Sequence, residues 1–263
     1  MKHIKEYNEF DIDPFNEDDW DELEIGSFLT WLKHDYPDES KWKDIKSIYG
    51  SNSNLTDLIG IEKLINLTYL HCHNNELKEL DISKNINLIG LYCGSNQLRK
   101  LDLSNNIKLI DLYCGYNQLR KLDVSNNIKL IDLYCHHNQL KEWDVSKNIH
   151  LRELSGSYNQ LRELDVSNNI NLENLYCFHN QFTELNVSKN IKLKNFHCVH
   201  NQLTELYISK NINLKYLYCN DNQLKKLNLS KNINLLYLAC YNNQLPELDL
   251  SKNINLKYKN TYL

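Results

Sequence analysis
The chain has 263 residues, a formal net charge of −4 and a pI near 6.2, so its average charge gives no general pull toward nucleic acid or an anionic membrane. Seven Gly and three Pro exclude collagen-like and low-complexity tracts, and no stretch approaches the roughly 20 apolar residues of a membrane helix. The start, MKHIKEYNEFDIDPFNEDDW, lacks the apolar core of a secretory signal, and a cytoplasmic protein is expected.

Residues 1–54 differ in composition from the rest and are expected to form an acidic helical cap. Asn16, followed by Glu17, Asp18 and Asp19, reads as a helix start, because carboxylates suit the positive end of the helix dipole. Trp20, Leu23, Phe28, Leu29, Trp31 and Leu32 supply an apolar stripe up to about His34. After Pro37 a second short helix is expected from Asp38, carrying Trp42, Ile45 and Ile48 and stopping at Gly50. Such a cap would shield the open end of a stack of repeats.

From Leu67 to Asn255 the chain is nine consecutive copies of a 21-residue unit, L-x-x-L-x-C-x-x-N-Q-L-x-x-L-D-V-S-x-N-I-x, with no insertion or deletion. A unit this short cannot bury a core alone, so the copies must stack as a solenoid. Positions four and six alternate with outward positions and read as a short strand. The second half, L-x-x-L-D-V-S-x-N, repeats the pattern, so strands are expected on both sides. Equal strand spacing on the two sides then predicts little curvature and a rise of roughly 40–45 Å.

Three columns serve the stack. All eight cysteines, Cys72, Cys93, Cys114, Cys135, Cys177, Cys198, Cys219 and Cys240, occupy position six; only Gly156 departs. Stacked strands about 4.7–4.9 Å apart suit disulfides poorly, so free thiols acting as small core hydrophobes are expected. The position-nine asparagines (Asn75 to Asn243) sit where the chain turns and can bond backbone groups of the next coil. A second asparagine column runs at position nineteen from Asn85 to Asn253.

On these residues the chain resembles the nested class of bacterial leucine-rich repeat proteins called IRREKO, whose unit reads L-x-x-L-x-L-x-x-N-x-L-x-x-L-D-L-x-x-N. The resemblance implies a right-handed parallel β-solenoid and no particular activity. Residues 55–66, before the regular copies, resemble the degenerate first repeats of internalin-like proteins. A partial copy, 256–263, ends the chain. There Lys259 replaces an inward leucine, and such a charge blunts an edge strand, so a monomer is expected. Tyr258, Tyr262 and Leu263 are the residues that would support end-to-end contact instead.

Outward positions of the first strand vary while the core columns do not. They gather Tyr92, Tyr113, Tyr116, Tyr134, His136, His137, Tyr158, Tyr176, Phe178, His179, His197, His200 and Tyr218, with Asp111 and Asp132 beside them. Aromatic residues are enriched at interfaces, and this face is expected to bind a protein or peptide. In-register rings can also stack and stabilise the sheet. The histidine groups His71/His73 and His179/His197/His200 lack a carboxylate or thiol to complete a metal site, so no metal or other cofactor is expected.

The column Asp81, Asp102, Asp123, Asp144 and Asp165 is read as structural, with a basic partner or calcium as the alternative. Arg99, Lys100, Arg120, Lys121 and Lys141 form a basic strip that is read as a solvated edge. No phosphate loop, nucleophile elbow or H-E-x-x-H appears, so the expected function is a non-enzymatic protein-interaction scaffold. The alternative is an effector or adhesin, exported without a classical signal, that binds a host molecule.

Overall fold
The computed structural model describes residues 27–261. The helix start at Asn16 and the surrounding acidic stretch lie outside the described residues, as do Tyr262 and Leu263.

Helix α1 (Phe28–Asp35) buries Phe28, Trp31 and Leu32. The second expected helix is instead a short 3-10 helix (Glu39–Asp44) followed by strand β1 (Ser47–Tyr49). The first regular coil would otherwise end in an open strand edge, and β1 fills it, with Ile48 opposite Leu70. Trp42 stays buried, its indole N–H donating to Tyr36 O at 2.8 Å, with the Lys63 ammonium 5.1 Å from its ring centre.

Each coil then contributes three residues, positions three to five of the unit, to one sheet: β2 (Tyr69–His71), β3 (Gly90–Tyr92), β4 (Asp111–Tyr113), β5 (Asp132–Tyr134), β6 (Glu153–Ser155), β7 (Asn174–Tyr176), β8 (Asn195–His197), β9 (Tyr216–Tyr218), β10 (Tyr237–Ala239) and β11 (Tyr258–Asn260). With β1 they make an eleven-stranded, all-parallel sheet in chain order. The register never slips: Leu112 faces Leu133, which faces Leu154. Positions one, four, six, eleven, fourteen and sixteen, for example Leu109, Leu112, Cys114, Leu119, Leu122 and Val124, fill a single continuous core.

The second half-unit alternates in burial as expected, but it forms no second sheet among the described residues, and the expectation of strands on both sides is corrected here. Its chain is folded into two successive tight turns. In one coil Asn106 N–H donates to Leu103 O at 3.0 Å and Leu109 N–H to Asn106 O at 3.1 Å. The aspartate column explains the bend before them: each carboxylate accepts the N–H of the serine two residues on, as from Ser83 to Asp81 and Ser125 to Asp123, both 2.9 Å. These bonds hold the aspartate pKa values below their usual range. Asparagine occupies the same site at Asn186 and Asn228.

With no second ladder, side chains tie the coils on that side. Asn106 Nδ2 donates to Ile82 O and Asn85 O, and every position-nineteen asparagine repeats this pattern. At position nine, Asn117 accepts Leu98 N–H at 2.9 Å and donates to Cys93 O at 3.0 Å.

Candidate interaction face
All but His136 and Phe178 of the residues expected to bind lie on two parallel ring rows. The first stands on the strands at position five. Tyr49, His71, Tyr92, Tyr113 and Tyr134 stack with centroids 4.3–4.8 Å apart and planes within 23°. Ser155 interrupts the row. Beyond it Tyr176, His197 and Tyr218 meet at steeper angles, with centroids 4.9 and 4.1 Å apart. The spacing is the strand separation itself, so parallel register makes the stack.

The second row stands at position eight, just past the strands. Tyr116, His137, Tyr158, His179 and His200 stack with centroids 3.9–4.2 Å apart. The backbone there has no signature in the residue pattern. Every position-eight residue from Asn74 to Asn242 has φ between 51° and 55°. That left-handed region is common for asparagine and histidine but costs a tyrosine roughly 1–2 kcal/mol. Ring stacking, about 0.5–1.5 kcal/mol per pair, offsets much of this cost. Beside the row, His136 lies over Gly115, where a Cβ would fall 2.8 Å from its ring. Phe178 meets Tyr158 edge-on.

Exposure separates these residues. Tyr116 and His200 are exposed, whereas Tyr134 is only 3% exposed and its hydroxyl donates to the Glu153 carboxylate. The others are half-buried. Burial pushes the Tyr92 hydroxyl up to about 12 and holds His136 and His197 down near 4, so these imidazoles are neutral near pH 7.

The face also carries an acidic group, assembled by the 21-residue spacing at position three. Glu153 joins Asp111 and Asp132 as direct neighbours at position three, beside the tyrosine row. Burial, and then the Glu153 and Asp111 charges, raise Asp132 to about 6. The histidines do not converge on a common point. His71 is sandwiched between Tyr49 and Tyr92, His73 shares a 2.7 Å hydrogen bond with Ser51, and His179 and His200 lie face to face. Among the described residues no group of three or more His, Cys, Asp or Glu is placed to hold a metal ion.

The cysteine column points inward, buried and free of disulfides, and burial raises its thiols. Its one gap is filled from across the core. Trp143 replaces a leucine at position fourteen, and its ring occupies the space over Gly156, where a Cβ would fall 2.8 Å from Cζ3. The two departures from the repeat are therefore one packing event.

The sequence matches no protein-family model and no curated protein. Solved structures do match. The functional domain of InlJ from Listeria monocytogenes, which includes a cysteine ladder, shares 36% identity over 85% of this chain and 55% of its own, with a TM-score of 0.74. A leucine-rich repeat protein of Leptospira interrogans is 23% identical over 84% of this chain and 62% of its own, with a TM-score of 0.79. YopM of Yersinia enterocolitica is 26% identical over 70% of this chain and 39% of its own, with a TM-score of 0.56. This chain thus spans less than two thirds of each of these three. The fold they share with it is a parallel leucine-rich repeat solenoid, here of about ten coils with a 21-residue period.

Proposed function
We propose that the chain is a non-enzymatic scaffold that binds a protein or peptide on the tyrosine and histidine face. The observation that carries the reading is the position-eight row. Five rings stand there in a left-handed backbone, and two of them, Tyr116 and Tyr158, are of a type that adopts it less readily than the asparagines Asn74 and Asn242 of the flanking coils. Stability alone gives little reason for rings at these sites, because strain and stacking nearly cancel. A contact surface does, since large rigid rings bury area at small entropic cost. The accessible part of the face is then Tyr116, His137, Tyr158, His179 and His200, with Tyr134 serving mainly as a support.

The test is capture of partners from source-cell lysate by wild-type protein, by Tyr116→Ser/Tyr158→Ser/His200→Ser, and by Asp123→Asn/Asp165→Asn on the other side. The face variant should lose partners that the control retains. Recovery of the same proteins by all three would sink the assignment.

A further inference from the structure
The geometry points to a second surface, an isoleucine ridge flanked by lysines around Ile191, Ile212 and Ile233, that docks on an anionic lipid bilayer. It lies at the turn-rich corner, apart from the ring rows.

Position twenty is isoleucine in ten successive coils, Ile65 to Ile254. Nine of them are 48–53% exposed and Ile254 is 85% exposed. Each sits at the tip of a tight turn, as between Asn190 and Leu193, where Leu193 N–H donates to Asn190 O at 3.1 Å. Neighbouring tips are tied together, Asn213 Nδ2 donating to Ile191 O at 2.9 Å and Asn234 Nδ2 to Ile212 O at 3.0 Å. The result is a tied apolar line along one edge of the stack, longer than the scattered apolar side chains of an ordinary surface.

Charge picks out one part of this line. In the early coils the aspartate column runs beside it, and Lys84 and Lys147 act on Asp81, Asp123 and Asp144. From residue 186 that column changes to Asn186, Tyr207 and Asn228, while Lys189, Lys210 and Lys231 become an unbroken row beside the ridge. On the other flank Lys192 is exposed, in a column that carries Lys108 and Lys129 in the early coils, so the distinction rests on the row from Lys189 to Lys231. Of the nearby carboxylates, Glu173 pairs with Lys194 and Glu205 accepts the Tyr207 hydroxyl, while Glu184 also acts on Tyr207. Tyr207 itself is 69% exposed. The aspartate column is interrupted, the lysine row becomes continuous and an aromatic emerges over the same three coils. The whole-chain charge of −4 averages this segregation away.

An anionic bilayer fits best. Isoleucine tips can enter the headgroup boundary while lysines on both flanks reach the phosphates, and a tyrosine suits the same depth. A second copy meeting ridge to ridge would oppose lysine to lysine. A shaped protein groove would need residue-level variation, and this ridge repeats one residue. The attachment is peripheral, since no described helix is long and apolar enough to cross a membrane.

The test is sedimentation of the full chain with vesicles of phosphatidylcholine alone or mixed with phosphatidylserine. Binding should require phosphatidylserine and weaken as salt is raised. Lys189→Gln/Lys210→Gln/Lys231→Gln should lower partitioning roughly a hundredfold, at about fivefold per lysine. Ile191→Ser/Ile212→Ser/Ile233→Ser should also lower it, whereas Ile86→Ser/Ile107→Ser/Ile128→Ser should not; melting curves check that each variant folds. No binding to phosphatidylserine vesicles, equal binding to both vesicle types, or full binding by the two variants of residues 189–233 overturns the proposal. So does capture of an acidic protein by the same lysines without vesicle binding.

Discussion
Asp132 shows how a single side chain registers the face it stands on. Half-burial and two acidic neighbours raise its pKa to about 6, against about 4 in an unfolded chain. The ionised form is therefore disfavoured in the fold. The carboxyl costs nothing below pH 4 and weakens the protein increasingly as pH rises through 6. Asp132→Asn should raise the melting temperature at about pH 7.5, by about 1 kcal/mol of stability after solvent screening, and should leave it unchanged near about pH 3.5. Thermal melts at both pH values decide it; an equal gain at each would show that the carboxylate charge is not the cause. At this scale the sequence is partly readable. The inward cysteines and the structural asparagines follow from alternation and turn chemistry. The left-handed position-eight backbone does not, because Tyr116 and Tyr158 are residues that ordinarily avoid it.

Among the elements, the fifth coil best illustrates how one packing event can look like two unrelated changes. The repeat puts a cysteine where Gly156 stands and a leucine where Trp143 stands. Gly156→Cys should destabilise by about 1–3 kcal/mol through the clash with the indole. Trp143→Leu should open a cavity over Gly156. The double variant restores the ordinary coil and should fall well short of the sum of the two losses, by at least about 1 kcal/mol. Additive losses in urea melts would mean that the two residues do not share the space. Strand placement is legible from period-two alternation, including its register. The turns of the second half-unit are not, because Asp and Ser alternate with leucine there just as a strand would. Only the Asx bond from Ser125 to Asp123 reveals a turn in its place. Spacing alone likewise puts Ile45 and Ile48 on a helix, and the demand of an open sheet edge decides otherwise.

Across the whole molecule, the eight thiols report on how continuously the coils are closed. Burial pushes the Cys93 thiol to about 12 and Cys177 higher, whereas Cys240, in the last full coil, reaches about 11. A thiol reagent should find few reactive groups in native protein and eight after unfolding, with Cys240 modified first. Labelling of Cys135 as fast as Cys240, mapped by mass spectrometry, would contradict a stack that opens from its end. The solenoid is legible from its period alone, because a strict repeat allows one stacked solution. The two outer surfaces are less so. Rings at positions five and eight are visible as composition but not as self-stacked rows, and a fixed isoleucine reads as core until the tight turn points it outward.

The two sides of the coil are also held by different kinds of bond. A ladder of main-chain hydrogen bonds runs along one side, whereas asparagine amides tie coil to coil on the other. The molecule is thus hinged like a bound book, with a spine of backbone and a fore-edge of side chains. Under tension, or in thermal breathing, coils would part first along the fore-edge while the spine still held. Amide exchange should therefore rise and fall along the chain with a period of 21 residues, slow in each strand and faster in the turns after it.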